Sequence, residues 1–216
     1  MNRGLIVSCQ ALPEEPLHSP FIMGQMAVAA MQGGATGIRA NGVLDILEIK
    51  KKVSLPIIGI IKKEYPDRKP YITPTYAEID TLLEVGVDVI ALDATIDQEE
   101  SFLKSLKEKY PGQEFMADVS TLEEGIRADR IGMDYIGTTL IGYTLQSQNL
   151  DRFSVLGGLL EKCRQPVIAE GNVNTPQEAA RAMESGAYAV VVGSAITRPQ
   201  CITRWFADAV NAVKTD

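Results

Sequence analysis

Lys62 and Glu170 each close a short apolar run that opens with proline, Pro56-Ile57-Ile58-Gly59-Ile60-Ile61 before the lysine and Pro166-Val167-Ile168-Ala169 before the glutamate. An amine and a carboxylate at the same end of two buried strands are equipment for proton transfer, because burial can bring both pKa values towards neutrality. A strand-end charge reaching solvent would account for either residue alone. The pair gains meaning only if one frame carries both ends to the same place.

Apolar, β-branched runs recur at residues 4–9, 35–39, 57–61, 87–93, 115–118, 135–138, 167–170 and 189–193. Segments with helical spacing lie between them, among them 21–32, 101–109 and 204–213. Strands that alternate with helices imply right-handed βαβ units and a parallel sheet. Capping boxes at Thr75-Tyr76-Ala77-Glu78, Ser120-Thr121-Leu122-Glu123 and Thr175-Pro176-Gln177-Glu178 mark helix starts soon after strand ends.

A longer period overlies the alternation. Gly34, Gly86, Gly132 and Gly186 each precede an even-numbered strand, where a left-handed residue would end the helix before it. They stand 52, 46 and 54 residues apart, two βα units per interval. A quarter-repeat of that kind belongs to a closed (β/α)8 TIM barrel more than to the alternative, a flavodoxin-like sheet. The 216 residues carry no linker or charge block, so residues 1–216 read as a single barrel domain.

Composition narrows the partners. A formal charge of −7 disfavours nucleic acid, whose phosphates are held by clustered Lys and Arg, while leaving room for one phosphate held by backbone N–H groups and an arginine. No apolar run approaches the roughly 18 residues a membrane span needs, and only Gly4 to Val7 precede the Ser8-Cys9 pair, too little for a secretory leader. Three dispersed cysteines fit reduced thiols in the cytoplasm, with Cys163 and Cys201 read as buried and idle. The single histidine, His18, excludes sites built on two histidines and reads as a surface residue before Pro20.

In such a barrel the strand C-termini carry the site. They are Gln10, Arg39, Lys62, Asp93, Asp118, Thr138, Glu170 and Gly193-Ser194. Gly171 with Asn172, and Gly193 with Ser194, follow the seventh and eighth strands, where these barrels often bind phosphate, and Arg198 comes four residues after Ser194. The stretch 63–74 is long beside the usual loop of about 2–6 residues and reads as a lid, with Lys63, Arg68 and Lys69 as solvated charges.

Four stretches carry a family resemblance: Ile58-Gly59-Ile60-Ile61-Lys62-Lys63, the run from Ile136 to Thr144, Ala169-Glu170-Gly171-Asn172, and Val192-Gly193-Ser194-Ala195-Ile196-Thr197-Arg198-Pro199. They resemble the N-acylglucosamine-6-phosphate 2-epimerases, and the likeness runs over nearly the whole chain. The resemblance implies a (β/α)8 TIM barrel of the phosphate-binding type, an isomerase of sialic-acid catabolism that interconverts N-acetylmannosamine 6-phosphate and N-acetylglucosamine 6-phosphate. It implies catalytic roles for Lys62 and Glu170, substrate contacts at Gln10, Arg39, Asp118, Thr138 and Tyr143, and phosphate contacts at Gly171, Asn172, Gly193, Ser194 and Arg198.

Inversion at C2 needs a base and an acid, or one group that reaches both faces of the intermediate. Either Lys62 is the C2 base and Glu170 handles the ring or hydroxyl proton, or Glu170 is the base and Lys62 the acid; the first is preferred. Neither a metal nor another cofactor is required, since lysine supplies positive charge, with a magnesium site of Asp93, Asp118 and Glu170 as the alternative. A Schiff-base aldolase and a non-catalytic sugar-phosphate binder are the competing functions. The expected partner is a small sugar phosphate, with no nucleic acid or membrane, and the expected assembly is a homodimer formed through outer helices.

Overall fold

Eight strands pair in chain order, each with the next, and the eighth returns to the first, so the sheet has no free edge. They are β1 (Gly4–Cys9), β2 (Gly37–Asn41), β3 (Ile57–Ile60), β4 (Val89–Asp93), β5 (Glu114–Asp118), β6 (Tyr135–Gly137), β7 (Val167–Ala169) and β8 (Ala189–Val192). All eight pairings are parallel, and closure sets Gly4 against Ala189 and Val7 against Val192. The computed structural model describes residues 1–213 and has the (β/α)8 architecture expected of the sequence. Closure rules out the flavodoxin-like sheet.

The period of two along each strand divides the core. Ile6, Ile58, Val89, Met116, Ile168 and Val191 fill the inside of the barrel. Their neighbours Val7, Ile38, Ile57, Ile90, Phe115 and Val190 face outward under the helices. Those helices are α1 (Pro20–Gln32), α2 (Val43–Lys50), α3 (Tyr76–Val85), α4 (Glu100–Lys109), α5 (Leu122–Ile131), α6 (Arg152–Lys162), α7 (Pro176–Glu184), α8 (Ser194–Thr197) and α9 (Pro199–Asn211). The same parity decides which side chain after each strand looks into the mouth.

Local chemistry explains where expectation and structure part. The second strand runs Gly37–Asn41 instead of 35–39, because Ala35 N still donates to Ala30 O and so belongs to the closing turn of α1. Helix α5 is capped by Thr121 with Glu124, one residue later than the expected Ser120 and Glu123, and the Ser120 hydroxyl instead donates to Glu124 Oε2 at 2.8 Å. Thr75 and Thr175 cap α3 and α7 as expected. The four spaced glycines all have left-handed φ, from 72° at Gly86 to 108° at Gly186. Cys9 is buried and its thiol is pushed up to about 12 by burial and then by Asp45. Cys163 and Cys201 are only partly buried, against expectation.

The last helix starts at Pro199, well before the expected 204, with proline in its first turn. Helix α9 buries none of its residues, and Trp205, Phe206 and Val210 are exposed along it. Where an eighth helix should cover β8 and β1, an open apolar groove of about 420 Å³ remains, walled by Leu5, Val190, Val192, Ala179, Met183 and Ile196.

Candidate active site

At the C-terminal mouth, the positions above the apolar barrel filling are polar. Arg39 and Asp118 occupy inward positions within β2 and β5; Lys62, Thr139 and Glu170 follow β3, β6 and β7 with the same parity. A cavity of about 270 Å³ opens above them, with Lys62, Glu170, Arg39 and Thr139 in its wall and Tyr71 and Tyr143 at its sides.

Arg39 is the deepest cation, 1 % exposed. Its Nη2 lies 2.6 Å from Asp118 Oδ2 and its Nη1 3.2 Å from Asp118 Oδ1, a planar two-point grip. Nη1 is also 3.1 Å from Glu170 Oε2. Burial works against its charge, but Asp118 and Glu170 outweigh it and raise the guanidinium pKa. Among the described residues, the buried Arg39 Nε has no hydrogen-bond partner, and the buried Glu170 Oε2 has the ion-pair contact with Arg39 but no well-formed hydrogen bond. Unsatisfied polar atoms at the base of a cavity are available to a ligand.

Lys62 is held by its backbone, whose N–H donates to Asn41 Oδ1 at 2.9 Å. Burial lowers its pKa, Arg39 and Arg198 lower it further, and Glu170 and Asp118 oppose them. Glu170 moves the other way, to about 7, raised by burial and by Asp118 against the pull of Arg39, Thr139 and Lys62. Opposite shifts in two neighbouring groups are the pattern of an acid and base pair.

Two expected contacts lie elsewhere. Thr138 points out of the barrel: its hydroxyl donates to Glu170 O at 2.7 Å and accepts from Glu170 N at 2.8 Å, so it clamps backbone and does not line the cavity. The next residue faces inward, and Thr139 Oγ1 donates to Asp118 Oδ1 at 2.6 Å. Counting in twos from the inward-facing Tyr135 would have found Thr139. Asp118 is fully buried beneath Arg39, away from the cavity wall, with both oxygens engaged. Asp93, also expected at the mouth, turns Oδ1 to the N–H and hydroxyl of Thr95, at 3.0 and 2.7 Å. No group of three or more potential metal-binding side chains forms among the described residues, so Asp93, Asp118 and Glu170 do not assemble a magnesium site.

The other expected residues gather on the cavity wall. Gly171, Asn172, Gly193, Ser194 and Arg198 share one side of it. Gly171 and Asn172 both have left-handed φ, 93° and 53°, which turns the chain sharply after β7. Arg198 donates from Nη1 to Ser194 Oγ at 3.2 Å, and its Nη2 lies 3.0 Å from Glu15 Oε2, which anchors it to the loop after β1. Gln10 lines the same space and donates to Ser8 Oγ at 2.8 Å. Tyr143, 60 % exposed, reaches across to Asn172 Oδ1 at 3.2 Å. His18 is exposed, as expected.

The long stretch after Lys62 is a doubled-back arm. Lys63 N donates to Tyr71 O and Thr73 N to Ile61 O, both at 2.8 Å, and the buried Thr73 hydroxyl donates to Ala91 O at 2.7 Å. The arm thereby hangs Tyr71 and Ile72 over the cavity. Lys63, Arg68 and Lys69 are exposed on it, Lys63 3.2 Å from Glu78 and Lys69 2.8 Å from Asp97.

Fold and cavity define a class: a (β/α)8 barrel whose C-terminal mouth sets a pKa-lowered lysine and a pKa-raised glutamate beside an arginine and two glycine turns. A family model, NanE, provisionally described as N-acetylmannosamine-6-phosphate epimerase, matches residues 23–212. A protein of Caldanaerobacter subterraneus subsp. tengcongensis, provisionally named N-acetylmannosamine-6-phosphate 2-epimerase, is 55 % identical over 95 % of this chain and 90 % of its own. One of Shouchella clausii with the same provisional name is 52 % identical over 97 % and 96 %. The solved N-acetylmannosamine-6-phosphate 2-epimerase of Clostridium perfringens superposes with a TM-score of 0.90 at 52 % identity, covering 95 % of this chain and 92 % of that one. The chain belongs to the N-acetylmannosamine-6-phosphate epimerase family, the family its motifs resemble.

Proposed function

We propose that the chain interconverts N-acetylmannosamine 6-phosphate and N-acetylglucosamine 6-phosphate, the epimerisation for which its family is named, with Lys62 and Glu170 moving the protons. The observation that carries this reading is the opposed displacement of the two pKa values around one cavity, the lysine lowered and the glutamate raised to about 7. In the open-chain sugar, C2 is next to the C1 aldehyde, so its proton can be lost to give an enolate. Return of a proton to the opposite face gives the epimer.

Lys62 must be uncharged to take the C2 proton, and an ionised Glu170 would resist that. The coupling works in favour of the mechanism once the proton sits on Glu170. Neutral Lys62 with protonated Glu170 has the same net charge as the ion pair, and the burial of both groups favours the neutral form. Lys62 then acts as the C2 base, and Glu170 handles the ring or hydroxyl proton. Arg39, whose Nε has no partner, supplies a donor to the oxygen on which charge develops. Asp118 holds Arg39 in the plane this requires. Gly171, Asn172, Gly193, Ser194 and Arg198 receive the phosphate, with Gln10 and Tyr143 contacting the sugar.

Incubation with N-acetylmannosamine 6-phosphate in D2O tests the reading by NMR. N-acetylglucosamine 6-phosphate carrying deuterium at C2 is the expected product. Conversion without label at C2 would remove the exchangeable base, and no conversion would remove the function.

The working unit on this reading is a single-domain barrel paired as a homodimer in the cytoplasm, with no nucleic-acid or membrane partner. The charge of −7 and the lack of any helix long and apolar enough to cross a membrane among the described residues support the last part. The exposed apolar face of α9 and the uncovered groove over β8 and β1 support the first, because a second copy laying its α9 in the groove, and receiving this one in return, would complete both barrels. Light scattering should give twice the chain mass, and Phe206→Asp with Val210→Asp should give one chain mass. A monomeric parent protein would sink the pairing.

A further inference from the structure

One side chain on an outer helix holds the backbone of the turn after β7. Arg152, in the first turn of α6, donates from Nη1 to Asn172 O and, at 3.4 Å, to Gly171 O, and it pairs through Nη2 with Glu178 Oε1. It stands outside the cavity that Gly171, Asn172 and Val173 line. We propose that Arg152 is a positioning residue for the substrate phosphate, which holds two carbonyls on the outer side of the turn and so aims the N–H groups of Asn172 and Val173 inward. This inference rests on the assignment of the phosphate to the turns after β7 and β8.

A trans peptide is planar, with its C=O and N–H on opposite sides. Drawing Gly171 O towards Arg152 therefore turns Asn172 N–H away from it, and drawing Asn172 O does the same to Val173 N–H. Among the described residues neither N–H has an acceptor on the backbone. The side of the turn away from Arg152 is the cavity wall. Successive N–H groups presented from one turn, here with φ of 93° at Gly171 and 53° at Asn172, form a concave donor pair suited to an anion. The guanidinium matches the outer side, since Nη1 carries two protons, one for each carbonyl, and Nη2 is left for Glu178.

The partner of Arg152 completes the clamp. Glu178 Oε2 accepts from Asn174 N at 2.8 Å and from Thr175 N at 3.1 Å. The cation thus holds the carbonyls at the start of the turn, and the anion paired with it holds the N–H groups at its end. On the flank, a Cβ on Gly171 would stand 3.2 Å from Thr139 O and 3.4 Å from Thr138 O, so the turn is seated against the end of β6. Local preference does not explain the arginine. A cation in the first turn of a helix faces the positive end of its dipole, and α6 is already capped by Asp151, which accepts from Ser154 N at 2.8 Å. The carbonyls across the loop supply the reason for a charge that the helix itself disfavours.

The test is a titration with inorganic phosphate followed by 1H–15N NMR. At saturating phosphate the amides of Asn172, Val173 and Ser194 should shift in the parent protein. In Arg152→Met the shifts of Asn172 and Val173 should fall by roughly half or more while that of Ser194 persists. KM for N-acetylmannosamine 6-phosphate should rise roughly tenfold, the scale of one hydrogen bond to a charged group, with kcat within a few-fold. Arg152→Lys keeps the charge without the planar fork and should recover only part of each loss. Parent-sized shifts at Asn172 and Val173 in Arg152→Met overturn the proposal, as does full recovery with lysine, which would reduce Arg152 to a charge acting at a distance. If the methionine variant fails to fold, the lysine variant decides alone, since parent-sized shifts in it overturn the proposal and smaller ones support it. Amides that stay unmoved in the parent would remove the phosphate site and this inference together, whereas amides that move equally in parent and variants would remove this inference only.

Discussion

Lys62→Met should lower kcat for epimerisation by about 10²–10⁴-fold, the range general base catalysis supplies, while KM should stay within a few-fold because the proposed phosphate contacts at Arg198 and the glycine turns are left in place. Methionine keeps most of the length of the side chain and its packing, so the variant should fold with an unchanged melting temperature. The measurement is a progress curve by NMR, paired with the exchange of the C2 proton in D2O. Loss of exchange together with loss of conversion identifies Lys62 as the group at C2. Exchange that survives while conversion stops would instead assign C2 to Glu170 and leave Lys62 to the second protonation. Full activity would take the lysine out of the mechanism. The effect is large because Lys62 alone on the cavity wall has an amine whose charge burial opposes.

Asp118→Ala should give the largest loss of stability. Asp118 is fully buried, and its two oxygens hold Arg39, which is 1 % exposed. Removing one partner of a buried ion pair leaves a desolvated charge and costs about 3–5 kcal/mol. For a chain of this size that is roughly 6–20 °C in melting temperature, read at fixed protein concentration. Glu170 at 3.1 Å recovers part of the loss by drawing Arg39 to itself, which should also bring the two groups out of their catalytic placement. Asp118→Asn, which keeps an acceptor, should fall between the two. The double variant Arg39→Met, Asp118→Leu removes both charges and should regain stability without regaining activity. A melting temperature for Asp118→Ala equal to the parent would mean that the pair is not the support the geometry gives it.

Lys62 and Glu170 were legible in the chain because an apolar strand that stops on an ionisable residue is visible without a fold, and the glycine spacing supplied the barrel that joins them. Asn172 and Gly193 were legible for the same reason, as turns directly after strands. Thr138 was misread, since a strand end seen in sequence has no inside or outside until its parity is anchored. One residue of register exchanges a backbone clamp for a carboxyl contact. Ser120 and Thr121 show the same one-residue ambiguity at a helix cap, where two hydroxyls compete for one glutamate.

The sequence by itself determined the alternation of eight strands with helices, the order of the strand-end groups and the two glycine turns, because these follow from local periodicity and backbone allowance. Only the tertiary structure decided the rest. It buried Arg39 and Asp118 as a pair, gave Glu170 a pKa of about 7, lowered that of Lys62, brought Glu15 to Arg198, and left α9 apart from the groove above β8 and β1. Desolvation and charge coupling depend on distances between residues far apart in the chain, and no local pattern of residue types contains those distances.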